Sequence, residues 1–256
     1  MTEPERAVPL GGLKAGQVVR VGDTVCRPVG AWSPIVHALL RHLEEREFDG
    51  APRFVGIDGA RREVLTFHPG VLMTEHPDAA ADDLLAEVAA VVRAFHAAAA
   101  DFTPPPGQPR WAGSLDPAGG ASVLHGDLAP WNVIVGTDHL TLIDWDDVWV
   151  GRIEWEVAYA LHTFVPFWPD GLSDRETVRR IRVFADAYGL RDDEMRAALE
   201  LVPARCRTVG EATRAHAALG DEAFIGFVAQ GIDAYWLSSA DHVESRLPSW
   251  QRALGI

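Results

Sequence analysis

The sequence predicts an α+β fold with two lobes: a small N-terminal antiparallel sheet with one helix, followed by a larger, mostly helical C-terminal lobe. Three observations support this prediction. Short β-branched runs alternate with turn signals through the first 70 residues, and apolar residues then recur with helical spacing. At 256 residues and 48% hydrophobic content, the chain can bury enough surface for two lobes that share a cleft. The boundary is expected near His68-Pro69-Gly70, which divides the chain into residues 1–70 and 71–256.

The first lobe should open with a β-hairpin and continue into its one helix. Residues 17–27 alternate apolar and polar side chains around Gly22-Asp23, a dipeptide that tolerates positive φ in a tight turn. Ser33 is expected to cap a helix whose first position is Pro34. Apolar periodicity extends that helix to about Arg46.

The remaining elements follow from the same two periodicities. Four more strands are expected, at residues 52–57, 63–67, 133–135 and 140–143. Helices are expected from Asp78 onward and over residues 154–164, 174–188, 192–219 and 222–246. A strand-rich lobe therefore precedes a helix-rich one.

Composition excludes several classes of function. The formal charge of −14 opposes binding to nucleic acid or anionic membranes. No leader pattern and no apolar run of about 20 residues is present, so a cytoplasmic location without membrane contact is expected. Cys26 and Cys206 are far apart and lack metal-ligand spacing, which favours two buried structural thiols. Residues 71–256 hold 28 acidic against 14 basic side chains, an imbalance that would suit a cationic small-molecule substrate, although solvated helix faces are the favoured explanation.

One segment concentrates the residues that phosphoryl transfer requires. That reaction needs a carboxylate to align the attacking hydroxyl, and oxygen ligands that hold magnesium on the phosphates of the donor nucleotide. Asp127 stands five residues before Asn132, the only asparagine in the chain, and this is the spacing of a kinase catalytic loop. Asp144 ends an apolar strand twelve residues later, where such folds place a second metal ligand.

The segment from His125-Gly-Asp127 to Asn132, with Ile143-Asp144-Trp-Asp146, resembles the signature of the aminoglycoside phosphotransferase and choline kinase superfamily. The resemblance implies a protein-kinase-like bilobal fold, with residues 1–70 as the nucleotide-binding lobe. It implies Asp127 as catalytic base, Asn132 and Asp144 as magnesium ligands, and ATP or GTP as phosphate donor. It also implies a hinge near residues 66–69, where Phe67 and His68 meet the nucleotide base.

Two departures from protein kinases narrow the class of substrate. Gly126 stands where protein kinases carry arginine, and about a dozen residues separate Asp144 from the next helix. This leaves no room for an activation segment, so a protein substrate is not expected. Glu156 and His125 are interpreted as structural supports, Glu156 bracing the catalytic loop and His125 anchoring it to the strand that ends at Asp144.

The small lobe departs from the kinase pattern in its phosphate-binding cation. Kinases hold the α- and β-phosphates with a lysine on the third strand. The only lysine here, Lys14, lies in a glycine-containing turn, and the strand position carries Arg27. The matching helix stretch carries His37 and no carboxylate. Arg27, Lys14 or neither could complete the site, which leaves open a second hypothesis: a kinase-fold protein that binds a nucleotide or metabolite for regulation, with weak or no transfer.

The substrate-binding residues are less determined by sequence. Trp131 lies inside the catalytic loop and can stack on a sugar or an ammonium group, although core packing explains most of the nine tryptophans. Asp146 either binds a cationic substrate or tunes Asp144, and the tuning role is favoured. Asp233 and Trp236 lie in the terminal helices, where the family builds its substrate pocket. Aminoglycosides, choline, homoserine and macrolides all remain open as phosphate acceptors, and the sequence does not indicate an oligomeric state.

Overall fold

The small lobe is built on one antiparallel sheet. The structure is a computed structural model that describes residues 7–10 and 17–256. The five strands are β1 (Val8–Pro9), β2 (Val19–Val21), β3 (Thr24–Pro28), β4 (Phe54–Ile57) and β5 (Arg62–Thr66). They follow the order β1-β2-β3-β5-β4, with helix α1 (Ser33–Glu45) between β3 and β4. The order places β3 beside β5, so that Arg27 on β3 lies opposite Glu63 on β5.

The predicted hairpin is present, and the start of α1 differs in one detail. Strands β2 and β3 pair with Val19 opposite Cys26, and Gly22 turns the chain with a φ of 58°. Helix α1 has Pro34 in its first turn, but the residue at the N-cap position, just before the helix, is Trp32. Ser33 does not cap the helix, because its hydroxyl accepts a hydrogen bond from the Gly30 amide, over 2.9 Å. The prediction of Ser33 as N-cap is therefore wrong by one position.

Two small sheets in the large lobe frame the segment that carries the motif. Their strands are β6 (Val71–Leu72), β7 (Ser122–Leu124), β8 (Val133–Val135), β9 (Leu140–Leu142) and β10 (Trp149–Gly151). Strands β6, β8 and β9 form one antiparallel sheet, and β7 pairs with β10 in another. The chain between β7 and β8 and the chain between β9 and β10 are thereby brought side by side.

Helices make up the rest of the large lobe. They are α2 (Asp82–Ala98), α3 (Ile153–Phe164), α4 (Asp174–Tyr188), α5 (Asp192–Ala218), α6 (Glu222–Ala229) and α7 (Ile232–Leu254). Helix α3 lies at the centre, with ten of its twelve residues buried. A helix that is apolar around most of its circumference belongs in the core, and this one therefore presents its few polar side chains to buried neighbours.

Two helix predictions need correction. The helix expected from Asp78 begins at Asp82, because residues 78–81 form a turn closed by a bond from the Ala81 amide to the Asp78 carbonyl. The single helix expected over residues 222–246 is two helices, α6 and α7. Gly231 separates them with a φ of 75°, a left-handed conformation that glycine adopts at little cost. Apolar spacing continues across this break, so periodicity alone did not reveal it.

The core runs through both lobes. Both cysteines are buried and unpaired, as predicted. Among the helices in the described ranges, none combines the length and the apolar character needed to cross a bilayer.

Candidate active site

Three side chains hold the carboxylate of Asp127. The Tyr159 hydroxyl, on α3, donates to Oδ1 over 2.6 Å. Asn132 Nδ2 donates to Oδ2 over 2.7 Å, and Trp131 Nε1 donates to the same oxygen over 3.2 Å. Asn132 Nδ2 also donates to the Asp127 carbonyl, which closes the loop on itself. The five-residue spacing predicted to be catalytic therefore produces a fixed carboxylate at the end of β7.

The loop that carries Asp127 is anchored on both sides of Gly126. The Gly126 amide donates to Glu156 Oε1 over 2.7 Å, and the Gly126 carbonyl accepts from Arg205 Nη2 over 2.9 Å. Gly126 itself has a φ of 88°, and a Cβ added there would lie 2.3 Å from the Asp147 carbonyl oxygen. No other residue fits this approach without displacing the chain, which is the local reason for glycine at this position.

His125 links the loop to the strand that precedes Asp144. Its Nε2 lies 3.1 Å from the carbonyl oxygen of Ile143, and its Nδ1 accepts from the Asp127 amide over 3.3 Å. A carbonyl only accepts and an amide only donates, so the ring is the neutral tautomer with the proton on Nε2. Burial lowers the pKa of His125, in agreement with a neutral ring. The roles of anchor for His125 and brace for Glu156 stay predictions, and the contacts available for them are these two of His125 and the bond from the Gly126 amide to Glu156.

Asn132 and Asp144 offer oxygen atoms to the same space. The amide nitrogen of Asn132 is used by Asp127, which leaves its Oδ1 available as a ligand. Asp144 follows β9 in a left-handed conformation, with φ 58° and ψ 60°, and its side chain is 46% exposed. Amide and carboxylate oxygens are the ligands that magnesium prefers, so these two residues fit that ion.

Arg27 joins the small lobe to the carboxylates of Asp144 and Asp146. It lies on β3, is 8% exposed, and forms ion pairs with Glu63 (2.5 Å), Asp146 (2.7 Å) and Asp144 (3.1 Å). Burial acts to lower the pKa of Arg27, but the three carboxylates outweigh burial and raise it. The arginine therefore stays charged at the strand position where a kinase carries lysine.

Within the small lobe, the carboxylate that pairs with Arg27 is Glu63, which lies on a strand and not on a helix. Glu63 lies opposite Arg27 in the β3–β5 register and is 1% exposed. Its other oxygen, Oε2, lies 2.5 Å from Nε2 of His37, the residue on α1 in the stretch that carries no carboxylate. Sequence reasoning missed Glu63. The antiparallel pairing of β3 with β5 is the signal that could have identified it, since cross-strand neighbours of opposite charge are a common pairing.

Two of the three other residues predicted to contact the nucleotide, Phe67 and His68, lie in the described part of the chain. Lys14 lies outside the described residues. The Phe67 amide donates to the Asp23 carbonyl over 2.8 Å, and the Arg20 guanidinium stacks 3.7 Å above the Phe67 ring. His68 lies between the hydroxyls of Thr66 and Thr141, 3.1 Å from each. A nucleotide contact at Phe67 would have to use groups other than its amide.

Two further aspartates lie beneath the motif. Asp146 is 2% exposed and pairs with Arg27, which places it against the small lobe and away from any open surface. Asp147 accepts from Arg110 Nη1 over 3.2 Å and from Trp111 Nε1 over 3.1 Å. Burial raises the pKa of Asp147 to about 7, against the opposing charge of Arg110.

The predicted substrate residues lie on two sides of Asp127. Trp131 is 41% exposed and borders the carboxylate directly. Trp236 is buried and stacks on Tyr159, with ring centroids 5.6 Å apart. Asp233 is buried and paired with Arg214 over 2.6 Å, so its charge is already matched.

Sequence reasoning also missed Tyr159 and Arg205. Tyr159 lies three residues after Glu156, on the same face of α3, and that spacing could have pointed to it. Arg205 lies on α5, donates to the carbonyls of Gly113 and Gly126, and rests 4.2 Å above the Tyr159 ring. No local pattern marks Arg205, because both of its acceptors belong to distant loops.

Comparison with known proteins agrees with this arrangement. Residues 110–202 match the family described as phosphotransferase enzyme family, a range that contains Asp127, Asn132, Asp144 and Tyr159. A trifolitoxin immunity protein from Rhizobium leguminosarum bv. trifolii is 32% identical in an alignment of length 185, which covers 68% of this chain and 70% of that protein. The chain belongs to the phosphotransferase enzyme family. The class is that of small-molecule kinases, within the aminoglycoside phosphotransferase and choline kinase superfamily.

Solved structures show that this phosphotransferase has the protein-kinase-like fold. A choline/ethanolamine kinase family protein from Mesorhizobium loti aligns with a TM-score of 0.65 at 13% identity, over 98% of this chain and 91% of that one. A microcompartment-associated aminopropanol kinase aligns with a TM-score of 0.59 at 16% identity, over 96% and 94%. A macrolide 2′-phosphotransferase from Brachybacterium faecium gives 0.56 at 18% identity, over 93% of each chain. At these identities the likeness concerns the fold.

Proposed function

We propose that this phosphotransferase moves the γ-phosphate of ATP or GTP to a hydroxyl group of a small molecule in the cytoplasm. The observation that supports the proposal is the unequal use of the two oxygens of Asp127. Oδ2 accepts two hydrogen bonds and Oδ1 accepts one, while each carboxylate oxygen can accept about two. Oδ1 therefore has an acceptor position left for a substrate hydroxyl.

Asp127 would act mainly by position. Phosphoryl transfer passes through a loose, in-line transition state that requires little covalent chemistry from the protein. The Tyr159 hydroxyl donates a hydrogen bond to Oδ1, and the Asn132 side-chain amide donates one to Oδ2. Together these two bonds prevent the carboxylate from rotating. An acceptor hydroxyl bonded to Oδ1 would be held in one orientation and would pass its proton to that oxygen as the new bond forms.

Asn132 and Asp144 would hold magnesium on the phosphates of the nucleotide. The ion supplies positive charge that offsets the charge on the transferring group. Arg27 lies 3.1 Å from Asp144, so its guanidinium reaches the space in which those phosphates would lie. A guanidinium binds phosphate in a fixed fork, and the contacts with Glu63 and Asp146 hold it in place.

The acceptor is proposed to be a small molecule with cationic or amphipathic character, such as an aminoglycoside. From Asp144 the chain passes through one helical turn and β10 directly into α3, which leaves no platform for a protein substrate. Trp131 offers an exposed aromatic face beside Asp127, and such faces bind ammonium and sugar groups. The relative described as a trifolitoxin immunity protein adds a toxin to the candidate acceptors.

Mass spectrometry of candidate acceptors tests the proposal. The protein is incubated with ATP or GTP, magnesium and a panel of hydroxylated metabolites, aminoglycosides, macrolides and other antibacterial compounds. A gain of about 80 Da on one compound, the mass of a transferred phosphoryl group, is expected. It should vanish with Asp127→Asn and persist with Asp138→Asn, an exposed aspartate in the β8–β9 turn. Nucleotide binding without any product across the panel would favour the alternative, a family member that binds nucleotide without transferring phosphate.

A further inference from the structure

A second cavity opens in the large lobe, away from the predicted catalytic residues. It has a volume of about 520 Å³ and lies between the end of α2, the start of α3 and the junction of α4 with α5. None of Asp127, Asn132 and Asp144 lines it. Its volume lies within the range of pockets that bind small molecules.

The floor of this cavity is apolar. Val123, Val157 and Ala198 are buried side chains that face it from β7, α3 and α5. Ala97 adds a small side chain from α2. Such a floor favours the aliphatic part of a ligand, because covering it removes apolar surface from water.

Two opposite charges on the walls form no ion pair with a described residue. Hydrogen bonds to Asp116 and, to a smaller extent, the charge of Glu154 raise the pKa of Arg152, but the Arg152 guanidinium is itself held by both carboxylate oxygens of Asp116. Among the described residues, no carboxylate pairs with Arg93 and no cation pairs with Glu154, although both line the cavity. The guanidinium of Arg93 lies against Gly189, where an added Cβ would be 2.7 Å from its Nη1. Arg191 and Glu194, also in the lining, are already paired with each other.

The cavity touches a chain of hydrogen bonds that ends at the catalytic loop. His96 and Tyr188 both line it, and the Tyr188 hydroxyl lies 2.6 Å from His96 Nδ1. His96 Nε2 donates to Glu156 Oε2 over 2.7 Å. The other oxygen of Glu156 accepts from the Gly126 amide, next to Asp127. A ligand that fixes Tyr188 and His96 would therefore act on the residue that holds the loop.

We propose that this cavity is a second ligand site for a small aliphatic amino acid, coupled to the catalytic loop through His96 and Glu156. The carboxylate of the ligand would pair with Arg93, its ammonium with Glu154, and its side chain would cover the apolar floor. A simple anion would satisfy Arg93 but would be repelled by Glu154, and a simple amine would meet the reverse arrangement. The zwitterion is the class of ligand that satisfies both charges.

Calorimetry with three matched probes tests the ligand class without any assay of transfer. The probes are leucine, 4-methylpentanoate, which lacks the ammonium group, and 3-methylbutylamine, which lacks the carboxylate. Leucine should bind, and each single-charge probe should bind at least about tenfold more weakly, because one charged hydrogen bond is lost. Binding of 4-methylpentanoate as tight as that of leucine would overturn the proposal, as would the absence of leucine binding at millimolar concentration.

Variants locate the site and separate it from other binding. Arg93→Gln and Glu154→Gln change side chains that make no hydrogen bond or ion pair with residues 7–10 or 17–256, so folding should be retained, and each should weaken leucine binding about tenfold. Arg175→Gln, an exposed arginine on α4 outside the cavity, should have no effect. Equal leucine affinity in all three variants would place the ligand elsewhere and contradict the proposal.

Hydrogen exchange tests the coupling between the cavity and the catalytic loop separately from ligand binding. Hydrogen exchange at the Gly126 amide, measured without nucleotide, should slow when leucine is bound, because the acceptor Glu156 is held more firmly. An unchanged exchange rate would disprove the coupling. Neither measurement depends on phosphoryl transfer, so failure of this proposal and failure of the proposed function can be told apart.

Discussion

The hydroxyl of Tyr159 donates a hydrogen bond to Oδ1 of Asp127 over 2.6 Å. Burial, followed by the negative charge of Asp127, raises the pKa of Tyr159 well above its usual value, so the hydroxyl keeps its proton and remains a donor. The contact joins α3 to the loop between β7 and β8. The contact also sets which hydrogen-bond acceptor positions of Asp127 stay open.

Tyr159→Phe removes this donor and keeps the ring that stacks on Trp236. The Asp127 carboxylate can then rotate, and kcat should fall about 10- to 100-fold, the range that corresponds to one hydrogen bond to a charged acceptor. The measurement is steady-state kinetics once an acceptor is identified. Trp131→Phe, which removes the longer bond to Oδ2, should reduce kcat less; the reverse order would contradict the role given to Tyr159.

Arg27→Ala should destabilise the protein by about 3–5 kcal/mol, because it removes the guanidinium that pairs with the buried carboxylates of Glu63 and Asp146. Urea denaturation measures the free energy of unfolding. Arg46→Ala breaks an exposed ion pair with Asp101 and should cost less than about 1 kcal/mol.

Arg27→Lys should retain part of that stability but weaken nucleotide binding, since an ammonium group cannot reach Glu63, Asp144 and Asp146 together in the way a guanidinium does. Calorimetric titration with ATP and magnesium measures the affinity. Wild-type affinity in this variant would show that the guanidinium fork of Arg27 is not required to hold the phosphates.

Gly126→Ala combines an unfavourable φ with a clash, and a matched control separates the two. Gly126 and Gly220 both have a φ of 88°, but a Cβ at Gly220 would meet nothing within 4 Å. Gly220→Ala should therefore cost about 1–2 kcal/mol, the cost of the left-handed conformation alone. Gly126→Ala should cost clearly more, measured by thermal unfolding, because its Cβ would press on the Asp147 carbonyl. Equal costs would show that the loop yields freely at this contact.

His162 should make stability fall in acid. Its side chain is buried on α3 among aromatic rings, and neither ring nitrogen has a hydrogen-bond partner in the described part of the chain. Burial, with a smaller effect of Arg205, lowers the pKa of His162 to about 3. A lowered pKa means that the unfolded chain binds the proton first, so this stability is present above pH 6.5 and is lost as pH falls toward 3.

As pH falls through this range, the free energy of unfolding should decrease because of His162 by up to about 1.4 kcal/mol per pH unit. His162→Leu should flatten this part of the profile, measured by urea denaturation between pH 7.5 and 5. His139→Asn changes an exposed histidine and should leave the slope unchanged. An identical slope in wild type and His162→Leu would contradict the assignment.

The predicted elements and the residues of the motif were accessible from sequence because they depend on local spacing. Alternation and helical periodicity placed the β2–β3 hairpin, the strands β8 and β9, and helix α4 close to their observed bounds. The wrong predictions are local exceptions to periodicity. Gly231 is left-handed and ends a helix whose apolar pattern continues, the Ser33 hydroxyl accepts from the Gly30 amide, and a turn over residues 78–81 delays the start of α2.

By itself, the sequence determined which residues are predicted to form the catalytic core. Asp127, Asn132 and Asp144 lie at short, defined distances along the chain from two strands, and strand geometry carries such spacings directly into space. Only the tertiary structure decided what holds that core. Glu63 meets Arg27 because β5 pairs with β3, and Tyr159 and Arg205 reach the loop because α3 is buried and α5 packs against it. These contacts join residues far apart in the chain, and their partners are selected by packing, for which no local periodicity exists.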